Sequence, residues 1–141
     1  WITGCAVLLG GEMPSNPVLI VALLYSIGAH GIMTLNDFKS VGGDISSGIR
    51  SLPVILGYKS AASLACQVMS GAQVAVICCL ATWGLNIHAA IIALLLVLQG
   101  LAMTKLMRDP RGLAPWYNAT GVTLYVSGMM VAAFAIRGIS P

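Results

Sequence analysis

The residues best suited to chemistry lie in one polar stretch, from Asn36 to Leu56, which reads NDFKSVGGDISSGIRSLPVIL. Asp37 and Asp44 are seven residues apart, so both carboxylates would share one helix face if a helix continued through them. Carboxylate oxygens suit Mg²⁺, which proteins commonly hold with one or two carboxylates plus substrate phosphates. Lys39 and Arg50 would meet the remaining phosphate charge, arginine in a bidentate manner. The stretch therefore predicts a site for magnesium and a phosphate group.

A second interpretation of the same stretch is a solvated interfacial loop with incidental charges. Spacing alone does not separate this interpretation from a magnesium site. The other polar stretch, Lys105 to Pro115, contains only one acid, Asp109. One carboxylate makes a poor metal site, so this second stretch predicts a cytoplasmic anchor.

The composition indicates the class of protein that carries these residues. Of 141 residues, 58% are hydrophobic and 8% are charged, against about 25% charged in an average globular protein. Charged side chains are absent from three long segments: 13–36, 60–104 and 112–136. About 20 apolar residues cross the hydrocarbon core of a bilayer, so the segments fit one, two and one crossings. The predicted partner is therefore a lipid bilayer, and no nucleic-acid partner is expected.

The fold class follows from the needs of the backbone in lipid. Backbone polar groups inside a bilayer must be satisfied internally, and no alternating pattern typical of barrel strands is present. The sequence predicts an all-α, polytopic transmembrane helical bundle with about four complete transmembrane helices, over 17–35, 60–83, 87–106 and 115–136. Because the chain opens at Trp1 in an apolar stretch, it is expected to be a fragment that lacks an N-terminal part.

The topology follows from the charges of the connections. Six of the seven Lys and Arg residues lie in the two polar connections, 36–59 and 105–115. Four crossings place both connections on one side of the membrane and the nearly uncharged turn at 84–86 on the other. The positive-inside rule then predicts that the two polar connections are cytoplasmic.

Two motifs carry a family resemblance. The pattern NDFKSVGGD followed by GIRSLPV resembles the second aspartate-rich motif of the UbiA-type intramembrane prenyltransferases, and within them the chlorophyll and bacteriochlorophyll synthase branch. The segment RDPRGLAPWYNATGVTLYVSGM, from Arg108 to Met129, resembles the bacterial members of that branch. The resemblance covers nearly the whole chain and identifies residues 1–141 as the C-terminal part of a single prenyltransferase domain whose N-terminal half is missing.

The resemblance implies a helical bundle around a central cavity that is open towards the cytoplasm of a bacterial inner membrane. It implies that Asp37 and Asp44 hold Mg²⁺, and that Asn36, Lys39 and Arg50 contact the diphosphate of a prenyl donor. It also implies the reaction: the propionate of a (bacterio)chlorophyllide is esterified with a geranylgeranyl or phytyl group, and diphosphate is released. Association with other pigment-biosynthesis membrane proteins is compatible with this role.

The chain departs from the family pattern at two positions. It has Gly42 where relatives carry an acid, and Ile45 where relatives often carry a cation. Both departures bear on the strength of metal and diphosphate binding.

Two other functions are weighed against this one. The first is a UbiA-type enzyme that acts on a quinone precursor or on protohaem, which the DFKS and APWYNATG segments disfavour. The second is a transporter or a structural membrane subunit. Transporters often carry charges at the bilayer midplane within broken helices, whereas every charge of this chain lies near a predicted helix end.

Overall fold

Four long helices and one short helix make up the described part of the chain. The computed structural model describes residue 10 and residues 14–138, so the apolar stretch at Trp1 lies outside the described residues. The elements are α1 (Asn16–Asn36), a 3₁₀ turn (Asp37–Lys39), α2 (Val41–Ser46), α3 (Leu52–Thr82), α4 (Asn86–Leu106) and α5 (Pro110–Ile136). The four long helices are long and apolar enough to cross a membrane. The predicted all-α bundle with four spans is therefore confirmed.

The predicted start of α3 at residue 60 was wrong, because helical structure begins at Leu52. Pro53 occupies the first turn, where its fixed φ and missing N–H are tolerated. Gly57 then interrupts the helix with φ +76° and ψ 161°, a conformation that only glycine adopts without strain. The prediction started at residue 60 because the charge-free segment begins there, directly after Lys59.

The predicted start of α5 at residue 115 was also wrong, because the helix begins at Pro110. Asp109 is its N-cap: the backbone N–H of Gly112 donates to Asp109 Oδ1 at 3.0 Å. Pro115 lies inside the helix, where it removes one backbone hydrogen bond near the N-terminus without ending the helix. The connection between α4 and α5 is consequently only three residues long.

The packing order brings the end of α1 to the beginning of α5. Helix α1 packs against α3 and α5, and α4 packs against the same two helices from the other side. In the core, the rings of Tyr25 and Tyr125 meet edge to face with centroids 5.3 Å apart, and Tyr125 Oη donates to the backbone oxygen of Tyr25 at 3.1 Å. Gly28 leaves room for the Tyr125 ring, since a Cβ at this position would overlap the Tyr125 hydroxyl.

Candidate functional site

The 3₁₀ turn after α1 fixes the direction of the first acid. Phe38 is buried, and its ring packs edge to face on Tyr58 of α3 with centroids 5.2 Å apart. With Phe38 held inward, its neighbours Asp37 and Lys39 are half-buried and exposed, respectively. The turn thus presents a carboxylate and an ammonium group on either side of an apolar anchor.

The second acid is held by a serine. Asp44, in α2, is half-buried, and its Oδ2 accepts a hydrogen bond from Ser51 Oγ at 2.7 Å. Ser40 Oγ lies farther from the same oxygen, at 3.4 Å. Ser51 is the residue immediately before α3, so this carboxylate ties α2 to the start of a long helix.

The two acids do not share one helix face, because the helix that would have joined them ends at Asn36. The backbone N–H and the hydroxyl of Ser40 both donate to the carbonyl oxygen of Asp37 at 3.0 Å. Side chains such as serine and asparagine compete with helical hydrogen bonds in this way. The condition for a continuous helix is not met, and the acids reach the same region from two short elements.

The donor atoms available to a metal are few. Among the described residues, no group of three or more His, Cys, Asp or Glu side chains is arranged to hold a metal ion. Ser51 donates to Oδ2 of Asp44, which leaves Oδ1 without a hydrogen-bond partner in the described part of the chain. Two carboxylates with free oxygens fit Mg²⁺, which takes its other ligands from water and substrate phosphates.

The family departure at Gly42 leaves open space. Nothing lies within 4 Å of the position that a Cβ would take at Gly42, or at the adjacent Gly43. A Cβ at residue 42 would therefore fit without moving a neighbour. Steric crowding does not explain its absence from this chain.

A cavity of about 370 Å³ lies between the end of α1 and the first turns of α5. Its lining combines four polar and four apolar residues: Asn36, Lys39, Arg111, Asn118, Leu35, Phe38, Ala114 and Pro115. Across the cavity, Asn118 Nδ2 donates to Asn36 Oδ1 at 2.9 Å and joins the two helices. The cavity confirms that the two polar connections meet at the same end of the bundle.

Sequence reasoning missed Arg111. It assigned the segment around Arg111 to an anchor, yet Arg111 and Lys39 line the same cavity from elements more than 70 residues apart. The guanidinium carbon of Arg111 is 5.5 Å from the ring centroid of Tyr58, the residue that also packs on Phe38. No spacing rule could have paired these residues, because their proximity depends on how α1, α3 and α5 pack.

Among the candidate cations, Arg50 lies apart from this cavity. It is exposed in the connection between α2 and α3, six residues after Asp44. Asn36 and Lys39 line the cavity, whereas Asp37, Asp44 and Arg50 do not. The five predicted site residues thus lie at one end of the bundle, and two of them line this cavity.

Comparisons with known proteins identify relatives of the chain. The UbiA prenyltransferase family matches residues 1–125. The chain is 63% identical, over 99% of its length, to a protein of Cereibacter sphaeroides named "Bacteriochlorophyll synthase 33 kDa chain", and covers 46% of that protein. A Rhodobacter capsulatus protein of the same name is 53% identical over 99% of the chain, which covers 47% of it.

More distant similarity extends to plants. The chain is 34% identical, over 96% of its length, to "Chlorophyll synthase, chloroplastic" of Arabidopsis thaliana, and covers 34% of that protein. The chain thus spans about half the length of the bacterial relatives described above. No solved structure gives a significant match.

Proposed function

The chain belongs to the UbiA prenyltransferase family, and on that premise we propose that it supplies one half of a magnesium-dependent bacteriochlorophyll synthase. The reaction is esterification of the propionate of a (bacterio)chlorophyllide with a geranylgeranyl or phytyl group from its diphosphate. The observation that carries this proposal is the 63% identity, over 99% of the chain, to a bacteriochlorophyll synthase chain. The lower identity of 34% to a chlorophyll synthase favours the bacterial pigment as acceptor.

The acids and cations of the site would hold the diphosphate of the donor. Asp37 and Asp44 would bind Mg²⁺ through their free oxygens, and the bound ion would neutralise charge on the diphosphate. Ser51 keeps the Asp44 carboxylate in place by donating to its Oδ2. In this way an acid that would hold the metal is positioned before substrate arrives, and the metal would supply the electrostatic stabilisation of the transition state.

Asn36, Lys39 and Arg50 would contact the diphosphate directly. In the reaction the bond between the allylic C1 of the donor and the diphosphate oxygen breaks, and the diphosphate leaves with the electron pair. A propionate oxygen of the pigment forms the new bond to C1. Cations around the leaving group stabilise the charge that grows there, and the apolar helices keep water from the allylic cation.

Retention of pigment is the test that separates the proposed function from its alternatives. The protein to use is a full-length chimera in which this chain replaces the segment it matches in the Cereibacter sphaeroides relative. The chimera, purified in detergent, should bind bacteriochlorophyllide in a titration. It should not bind protohaem or quinone precursors. Preferential binding of protohaem or a quinone precursor would contradict the proposal, and so would the absence of any pigment binding.

The sidedness of the membrane is a second part of the proposal. Because six of seven Lys and Arg residues lie in the two polar connections, we place those connections and the site on the cytoplasmic side of the bacterial inner membrane. Association with other pigment-biosynthesis membrane proteins stays a prediction of this proposal.

Single cysteines in a cysteine-free chimera would report the sidedness. Ser46→Cys and Arg108→Cys, both at exposed positions of the polar end, should be protected from an impermeant thiol reagent in intact cells. Asn86→Cys, at the exposed start of α4, should react. Gly112 is avoided because a Cβ there would overlap the Asp109 carboxylate. Labelling of Ser46→Cys from outside the cell would refute a cytoplasmic site.

A further inference from the structure

The cavity between α1 and α5 has two cations and, among the described residues, no acid in its lining. Lys39 and Arg111 line it, and neither Asp37 nor Asp44 does. Of the two cations, Arg111 is not among the residues proposed to contact the diphosphate. It is therefore available to a second anion beside the diphosphate.

Arg111 is exposed, and its guanidinium lies against an aromatic ring. The guanidinium carbon is 5.5 Å from the Tyr58 ring centroid, a cation–π distance, and the Tyr58 ring packs on Phe38. The Asp109 cap fixes the first turn of α5, where Arg111 is the second residue. The contact with Tyr58 reduces the entropy that Arg111 would lose on binding a ligand.

On this basis we infer that Arg111 binds the propionate carboxylate of the pigment acceptor, an inference that rests on the proposed function. The planar fork of arginine matches a carboxylate with two parallel hydrogen bonds. The apolar part of the lining, which includes Leu35, Ala114 and Pro115, suits the methylene groups that precede the carboxylate. In this assignment the propionate arm enters the cavity of about 370 Å³ and the macrocycle lies outside it.

The location of the cavity also fits the geometry of the reaction. The acceptor carboxylate must approach C1 of the donor while the diphosphate is still attached, so the two anions lie near each other. Lys39 follows Asp37 by two residues and lines the cavity. It is thus close in sequence to one of the acids that would hold the metal, and it lines the same cavity as the guanidinium that would hold the carboxylate. Arg111 thus selects the acceptor, and Lys39 faces both anions.

Binding titrations without turnover test this assignment. Bacteriochlorophyllide and its propionate methyl ester differ at the propionate group alone, where the ester lacks the charge that Arg111 would recognise and carries a methyl group. The chimera should bind the free acid at least ~10-fold more tightly than the ester, as expected for a hydrogen-bonded charge pair. In Arg111→Gln this preference should vanish, while binding of the ester stays unchanged and reports an intact fold. Arg111→Lys should keep part of the preference, because it keeps the charge but loses the fork.

Two controls show whether Arg111 binds the carboxylate of the acceptor or the diphosphate of the donor. Arg108→Gln removes an exposed cation of the same connection that does not line the cavity, and should keep the full preference. The KM for the prenyl diphosphate should stay near wild type in Arg111→Gln. A raised donor KM with the acid preference retained would assign Arg111 to the diphosphate and overturn the inference.

The inference and the proposed function fail in different ways. If the chimera esterifies the pigment but Arg111→Gln still prefers the acid, only the role of Arg111 is wrong. If the acid preference depends on Arg111 but no ester forms, the carboxylate site stands and the proposed reaction is wrong.

Discussion

Replacing Asp37 or Asp44 by asparagine should slow ester formation by the full-length chimera at least ~10²-fold, or about 3 kcal/mol in the barrier. Asparagine keeps the size and shape of the side chain but removes the negative oxygen that Mg²⁺ prefers. In Asp44→Asn the amide oxygen can still accept from Ser51, whose Oγ is 2.7 Å from Oδ2, so the local structure should persist. The loss should appear in kcat, because charge grows on the diphosphate in the transition state.

The matched control is Asp109→Asn. Asp109 is an exposed acid at the same end of the bundle, and it caps α5 through the N–H of Gly112. Asparagine is as good an N-cap as aspartate, so this variant removes a charge without removing the cap and should retain wild-type turnover. Assays at saturating and at limiting Mg²⁺ give the comparison. Wild-type turnover in both Asp37→Asn and Asp44→Asn would contradict a metal site and support the alternative interpretation of a solvated loop with incidental charges.

The second large effect concerns the 141-residue chain by itself, which should form no ester at a measurable rate. Its described residues offer Asp37 and Asp44 as the acids of the site, and no cluster of three metal-ligating side chains. A diphosphate bridged to two aspartate-rich motifs, as the family resemblance implies, needs carboxylates from outside this chain. The assay compares the isolated chain with the chimera at equal concentration in the same detergent. Robust esterification by the isolated chain would show that one motif suffices.

The sequence predicted the membrane-spanning part of the fold well, because it depends on local composition. Charge-free segments at 13–36 and 60–104 give the spans directly, and the observed α1 and α4 end within a residue of their predicted limits. The errors lie at α3 and α5, where Pro53 and Pro110 begin helices earlier than hydropathy indicates. Proline in a first helical turn is compatible with both a loop and a helix, so the local sequence does not decide between them.

The site was only partly predictable. Asp37 and Asp44 stand out because acids are rare in this chain, but their separation into a 3₁₀ turn and α2 depends on Ser40 and its hydrogen bonds. The roles of Ser51 and Asn118 depend on contacts with Asp44 and Asn36 that only the folded chain makes. Tertiary packing fixes these contacts, and one sequence carries no direct signal of them.

One assay tests the central claim most directly: ester formation by the chimera from bacteriochlorophyllide and geranylgeranyl diphosphate, with and without Mg²⁺. The account predicts geranylgeranyl ester and an equal amount of diphosphate when Mg²⁺ is present, and neither product when the metal is chelated. Protohaem or a quinone precursor, supplied in place of the pigment, should give no prenylated product. Undiminished ester formation without metal, or prenylation of those other acceptors in preference to the pigment, would contradict the account.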